Sequence, residues 1–242
     1  MPVQRSLPQT AALGVTSPET GSVRRCDDVH RWGPSDGGSA FSRQTVAQKA
    51  HPDLALTPEK VGLQPYVTVE VWERLKSAMR DYRALKDAHK DTKPSECEIV
   101  FLAGWLGHYV ADGSQPLHTT IQYNGWAGPN PQGYTTEHKI HAQFESTFVS
   151  ANVKPGDVAP LIVEKPVVMG DVFTDYMAYL RHTNSLVERT YQIDKAGGFD
   201  GAGTAEGKSF TEERLAAGAI ELRDMIYTAW LRSADPVQEF HG

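Results

Sequence analysis

Two short stretches carry side chains that could act together as metal ligands. GHYVADGSQPLH, residues 107–118, holds His108, Asp112 and His118, and HKIHAQFE, residues 138–145, holds His138, His141 and Glu145. On an α-helix, residues four apart differ by ~40° in direction and by about 6 Å along the axis, so both can reach one point. His108 with Asp112 and His141 with Glu145 share that spacing. Gly113 can end the first helix, and Pro116 sets the direction of the chain into Leu117 and His118. Antiparallel packing of the two helices would then bring five N and O ligands together: His108, Asp112, His118, His141 and Glu145.

Each of these residues alone has an ordinary structural role. A histidine on an apolar helix is commonly a core residue bonded to a carbonyl. Asp112 reads as a helix-end residue, although a carboxylate there opposes the helix dipole. Glu145, close to Lys139 and His141, reads as a surface residue. The joint pattern is harder to dismiss. EIVFLAGW, residues 98–105, predicts a buried helix, on which an ionised carboxylate is costly unless a cation compensates it.

Histidine and carboxylate ligands suit Zn²⁺, and without a ligating cysteine the softer metals and iron–sulfur clusters lose support. His118, His141 and Glu145 would form one three-ligand site with a position open to water. His108 and Asp112 give two ligands and need a partner from elsewhere, or Asp112 must bridge to a further ion. Open positions beside neighbouring metals suit phosphodiester hydrolysis by hydroxide generated at the metal. His138 reads as a solvent-facing or supporting neighbour. Two histidines and a carboxylate also compose the triad of non-haem iron oxygenases, but their usual host is a barrel of strands, and no strand alternation occurs here.

The elements that must position these residues are helices. Val71, Leu75, Ala78, Tyr82 and Leu85 recur at steps of three and four. Ser95 and Glu98 have capping-box spacing and open a second helix running through Ile99 to Asp112. A third helix is predicted over about Thr136–Val149 and a fourth over about Asp171–Ile193. The fifth opens with a second capping box, Ser209 and Glu212, and carries Leu215, Ala219, Leu222, Ile226 and Trp230 on one stripe. Residues 119–135 and 196–207 read as loops from their Gly and Pro content. The first contains Tyr123, Trp126 and Tyr134, which could wall a site, stack a base or cover a headgroup, or else simply pack the loop. Residues 1–63, rich in Ser, Pro, Gly and Arg, read as largely irregular or disordered, with a short helix around Ala40–Ala50. The expected architecture is all-α, a multi-helix bundle over residues 64–242.

The 242-residue chain is 40% hydrophobic and 22% charged, which fits a globular protein with one large core. No apolar run is long enough for a transmembrane helix. A net charge of −6 with no Lys/Arg run argues against duplex DNA as a partner. An anionic substrate remains compatible where bound metal supplies positive charge. The N-terminal twenty residues do not form a secretory signal pattern. Cys26 and Cys97 could make at most one disulfide, and their spacing suggests neither a metal knuckle nor a redox motif.

The pattern H-x-x-x-D-x-x-x-x-x-H followed by H-x-x-x-E, here GHYVADGSQPLHTT and HKIHAQFES, resembles the superfamily of bacterial zinc-dependent phospholipase C and zinc-dependent single-strand-specific nucleases. The resemblance extends from about Val61 to the helix ending TAWLRSA. It implies an all-helical fold and up to three zinc ions hydrolysing phosphate esters of a phospholipid headgroup or a single-stranded nucleic acid. By position, His118, His141 and Glu145 would hold one zinc, His108 would help hold another, and Asp112 would bridge two. A glutamate at position 145 leans toward the phospholipase branch. Relatives of this type are exported. The departure is N-terminal: the family's leading Trp, His, Asp and His ligands have no assigned counterpart here. VHRWGPSDGG has His30 and Trp32 in reversed order, and AHPDLAL offers His51 and Asp53. A member lacking those ligands would be a non-catalytic binder of one zinc.

Overall fold

The computed structural model describes residues 48–49, 57, 62–163 and 165–237. These residues are all-α, with helices packed together and no strands. Of the N-terminal segment, Gln48 and Lys49 are helical, in line with the short helix expected there. The expected irregular character of residues 1–63 otherwise lies almost wholly outside the described residues, as do Cys26, His30, Trp32, His51 and Asp53. Cys97 is exposed with a free thiol. Among the described residues no helix is long and apolar enough to cross a membrane.

Helix α1 (Gln64–Asp87) buries Val71, Leu75 and Ala78 as the periodicity predicts. Trp72 joins them and donates its indole N–H to the Met225 carbonyl at 2.8 Å. Helix α2 (Lys93–Ser114) begins before Ser95, so the Ser95–Glu98 box does not form. Pro94 occupies the first turn, where its fixed φ starts a helix and its missing N–H is no loss. Thr92 precedes it, its hydroxyl donating to Glu96 Oε1 at 2.9 Å.

Gly113 does not end α2. The helix runs to Ser114, and Gln115 turns extended (φ −88°, ψ 114°), as the residue before a proline is driven to do. Gly113 serves close packing instead, since a Cβ there would lie 2.9 Å from both Tyr176 Oη and Tyr179 Cε1.

The buried-helix reading of EIVFLAGW also needs correction. Leu102, Leu106 and Val110 are buried against α1 and the two later long helices, α5 and α7 below. Val100 and Phe101 are 72% and 67% exposed, and the His108 side chain is 55% exposed. Only one face of this apolar helix is covered among the described residues.

The third helical segment starts later than expected, as α3 (Ile140–Ala142), continues through a π-helical turn (Gln143–Phe148), and ends as α4 (Val149–Asn152). Residues 136–139 stay out of it because local bonds compete, the Glu137 N–H donating to Thr135 Oγ1 and the Lys139 N–H to the Glu137 carbonyl. The predicted fourth helix is two, α5 (Val172–Asn184) and α6 (Val187–Lys195). The break falls at Ser185, whose hydroxyl donates back to the His182 carbonyl, while Asn184 donates to the Thr119 carbonyl at 2.8 Å.

Helix α7 (Ala205–Arg232) begins four residues before Ser209, capped by Thr204 Oγ1 accepting the Gly207 N–H at 3.1 Å. The Ser209–Glu212 box is therefore absent. The buried face of α7 also differs from the expected stripe. Phe210, Gly218, Met225 and Ala229 are inside, whereas Leu215 and Trp230 are exposed at 37% and 36%.

Two apolar clusters result. One joins α1, α2, α5 and the end of α7 around Leu75, Leu106, Tyr176 and Met225. The other gathers Leu117, Ile140, Phe144, Phe148, Tyr191, Phe199 and Phe210. Glu221 of α7 has a buried Oε1 with no hydrogen-bond partner. Burial, then the nearby carboxylates of Asp224 and Asp175, push its pKa up to about 7. The folded chain thus keeps a proton that the unfolded chain gives up in the ordinary carboxylate range, so stability falls as pH rises toward that value. Glu221→Gln, neutral at every pH, should raise the melting temperature at about pH 8, by the equivalent of up to about 3 kcal/mol, and change little at about pH 5. Paired thermal melts check this, and an unchanged or lower melting temperature at the higher pH is the contrary result.

Candidate metal centre

Three of the five predicted ligands converge. His118 lies on the 3₁₀ turn Pro116–Thr119, which Gln115 stabilises by accepting the Leu117 N–H on Oε1 at 2.6 Å. His141 lies in α3, and Glu145 in the π turn that follows, a widened geometry common at functional sites. Each is adjacent in sequence to a side chain of the second cluster with almost no exposure: Leu117, Ile140 and Phe144. Those three anchors aim the polar neighbours. His118 Nε2 and His141 Nε2 each sit 3.0 Å from Glu145 Oε2, and the two rings meet nearly edge to face, 4.7 Å between centroids. All three ligand atoms lie within 4.8 Å of one another. Ligands about 2.0 Å from a tetrahedral zinc are roughly 3.3 Å apart, so the trio fits one ion.

The supporting bonds favour ligation. His141 Nδ1 faces the Tyr123 carbonyl at 2.9 Å. A carbonyl only accepts, so Nδ1 carries the proton there and Nε2 is the nitrogen free to bind a metal. The His141 N–H donates to Asn124 Oδ1 at 3.2 Å, and Gln115 Nε2 donates to Glu145 Oε2 at 3.4 Å. Gln115 and Asn124 were not singled out as site residues from sequence. The Gln of QPLH was the available signal, whereas nothing in the loop pattern marked Asn124.

The electrostatics follow. The two histidines, hydrogen-bonded to it, hold the Glu145 carboxyl well below the usual carboxylate range against the opposing effect of burial. Burial works against a charged His141, but Glu145, the Tyr123 carbonyl and Asp112 outweigh it and raise its pKa. Burial raises the pKa of Asp112, while His118, His108 and His141 pull the other way.

Asp112 is beside the trio, lining the same cavity as His118 and Glu145. His108 Nε2 is 3.6 Å from Asp112 Oδ2. The exposed His138 turns away, its Nδ1 donating to the Asn124 carbonyl at 2.8 Å. The loop aromatics pack among themselves. Trp126, Tyr134 and Tyr191 have ring centroids 4.8–5.6 Å apart, and the Trp126 indole donates to the Pro129 carbonyl. The ring of Tyr123 rests edge-on to His141. Gly125 allows this loop to pass, with φ at +124° and a hypothetical Cβ only 3.0 Å from the Thr136 carbonyl oxygen. Of the two readings of these aromatics, the contacts are those of loop packing, which holds His141.

No family model, curated protein or solved structure matches the chain.

Metal affinity should depend on these supports. Gln115→Ala and Asn124→Ala are expected to weaken zinc binding by about ten- to hundredfold without unfolding the chain, as loss of outer partners does elsewhere. Competition against a chromophoric chelator measures it, and wild-type affinity in both variants would count against the arrangement. Because His141 holds its proton to higher pH than a free imidazole, apparent zinc affinity should climb between about pH 6 and about pH 8.

Proposed function

We propose that the chain is a zinc-dependent phosphodiester hydrolase of the phospholipase C type, as the resemblance of its ligand motif implies. The observation that carries this reading is the meeting of His118 Nε2, His141 Nε2 and Glu145 Oε2 within reach of one ion. Two imidazoles and a carboxylate, with room for a fourth ligand, are the donor set of hydrolytic rather than structural zinc. The ion, when bound, supplies charge for a phosphoryl oxygen and acidifies water.

The rest falls to the protein's own side chains. The Tyr123 carbonyl fixes the His141 ring, and Asn124 Oδ1 holds the His141 backbone N–H. Gln115 steadies Glu145. Asp112 and His108 would hold a second ion, Asp112 lining the same cavity as His118 and Glu145. Leu215, Ala219 and Leu222 give the neighbouring cavity an apolar wall, beside which charge interactions are stronger than in open water. A net charge of −6 and the packed state of Trp126 and Tyr134 favour a headgroup ester over a nucleic-acid strand.

Zinc-replete protein is expected to hydrolyse bis-nitrophenyl phosphate and to lose that activity on chelation. His118→Ala and Glu145→Ala should remove it by at least about a hundredfold. Elemental analysis run alongside counts the ions: two or more per chain accord with use of Asp112 and His108, and a single ion without activity identifies a non-catalytic zinc binder. Full turnover after chelation and dialysis would overturn the proposal.

A further inference from the structure

A cavity of about 350 Å³ opens beside the trio, between α2, the π turn and α7. His118, Asp112 and Glu145 line one part of it. Leu215, Ala219 and Leu222 form an apolar wall, and Arg214 lines the α7 side. Among the described residues that line the cavity, Arg214 is the one Lys or Arg, and His118 the one histidine. Its Nε and Nη1 are buried and have no acceptor among the described residues. No carboxylate among the described residues lies within ion-pairing distance of it, the neighbouring Glu212 being engaged with Lys208 at 3.6 Å.

A guanidinium removed from water with unfilled donors is a costly arrangement. Burial, with Arg189 acting in the same direction, holds its pKa below the ordinary value, only partly offset by Tyr179 and Glu213. Its planar fork matches an oxyanion in two parallel hydrogen bonds.

We propose that Arg214 is the oxyanion-binding residue of this cavity, taking the non-bridging oxygens of a compact phosphate ester whose organic group lies against Leu215, Ala219 and Leu222. The assignment rests on the hydrolase reading of the same site and narrows its substrate class. The cavity's volume is that of a small-molecule site. A strand of nucleic acid would need an extended cationic groove with free aromatic platforms. Sharing the cavity with His118 and Glu145, Arg214 makes the second point of attachment that orients a phosphoryl group.

The test is binding of inorganic phosphate by calorimetry to the full chain, zinc-free and zinc-loaded, in wild type, Arg214→Met and Arg214→Lys. The methionine variant should bind phosphate about tenfold or more weakly. The lysine variant, retaining charge without the fork, should fall between, and zinc content should stay unchanged in both. Phosphate affinity equal to wild type in both variants overturns the proposal, as does a loss of phosphate binding that only accompanies loss of zinc. If the methionine variant fails to fold, the lysine variant decides alone, a threefold or greater weakening with zinc retained supporting the proposal and none overturning it. If the wild-type chain takes up no zinc, the hydrolase reading falls separately. Arg214 is then judged on the zinc-free arm, where affinity shared by all three proteins overturns it.

Discussion

A single carboxylate oxygen, Glu145 Oε2, lies between the Nε2 atoms of two histidines that come from different elements, and most of the surrounding structure serves to keep it there. These two contacts need three backbones held to within a fraction of an ångström. Adjacent buried side chains do that, because a close-packed interior leaves them little freedom. Leu117, Ile140 and Phe144 enter one apolar cluster, closed by Phe199 and Phe210 from the far side. The polar group following each anchor has no choice but to face the same point. The loop of residues 119–135, long and rich in glycine, is tied down by Tyr191, whose hydroxyl accepts from Gly125 and donates to the Gln122 carbonyl. That tie is what lets the Tyr123 carbonyl meet His141.

Charge is distributed around the centre with its costs left partly uncovered. Asp112 is half-buried with histidines as its only compensation, Arg214 has empty donors, and Glu221, seven residues along the same helix, has an empty acceptor. The two on α7 do not pair with each other. In a low-dielectric setting each such group is expensive by itself, yet each is also more responsive to a ligand of opposite charge than it would be in water. The proposed role of the cavity draws on His118, Asp112, Glu145 and Arg214 together, a set suited to a group that is both a metal ligand and a hydrogen-bond acceptor. A phosphoryl group is both.

The amino-acid order alone determined that the chain is helical, because apolar residues recurring at three and four report the face of a helix whatever it packs on. It also put His141 and Glu145 four apart, which is local geometry, whereas His118, 27 residues from Glu145, meets them only through the packing of the fold. Tertiary structure decided the rest. Helix boundaries moved wherever a proline, a threonine cap or a competing turn bond outweighed the capping-box pattern, as at Pro94 and Thr204. The apolar run before His108 left one face outward because only one side of α2 meets its neighbours, and periodicity cannot say how many neighbours a helix will have. Leu215 and Ala219 proved to be cavity wall rather than core for the same reason, while Leu222 lines the cavity and also packs against the first cluster. Gln115, Asn124 and Arg214 acquired their places through contacts across the fold, 30 residues for Gln115 with Glu145 and 17 for Asn124 with His141. Such pairings depend on how the helices pack, and no local pattern of residues encodes that distance.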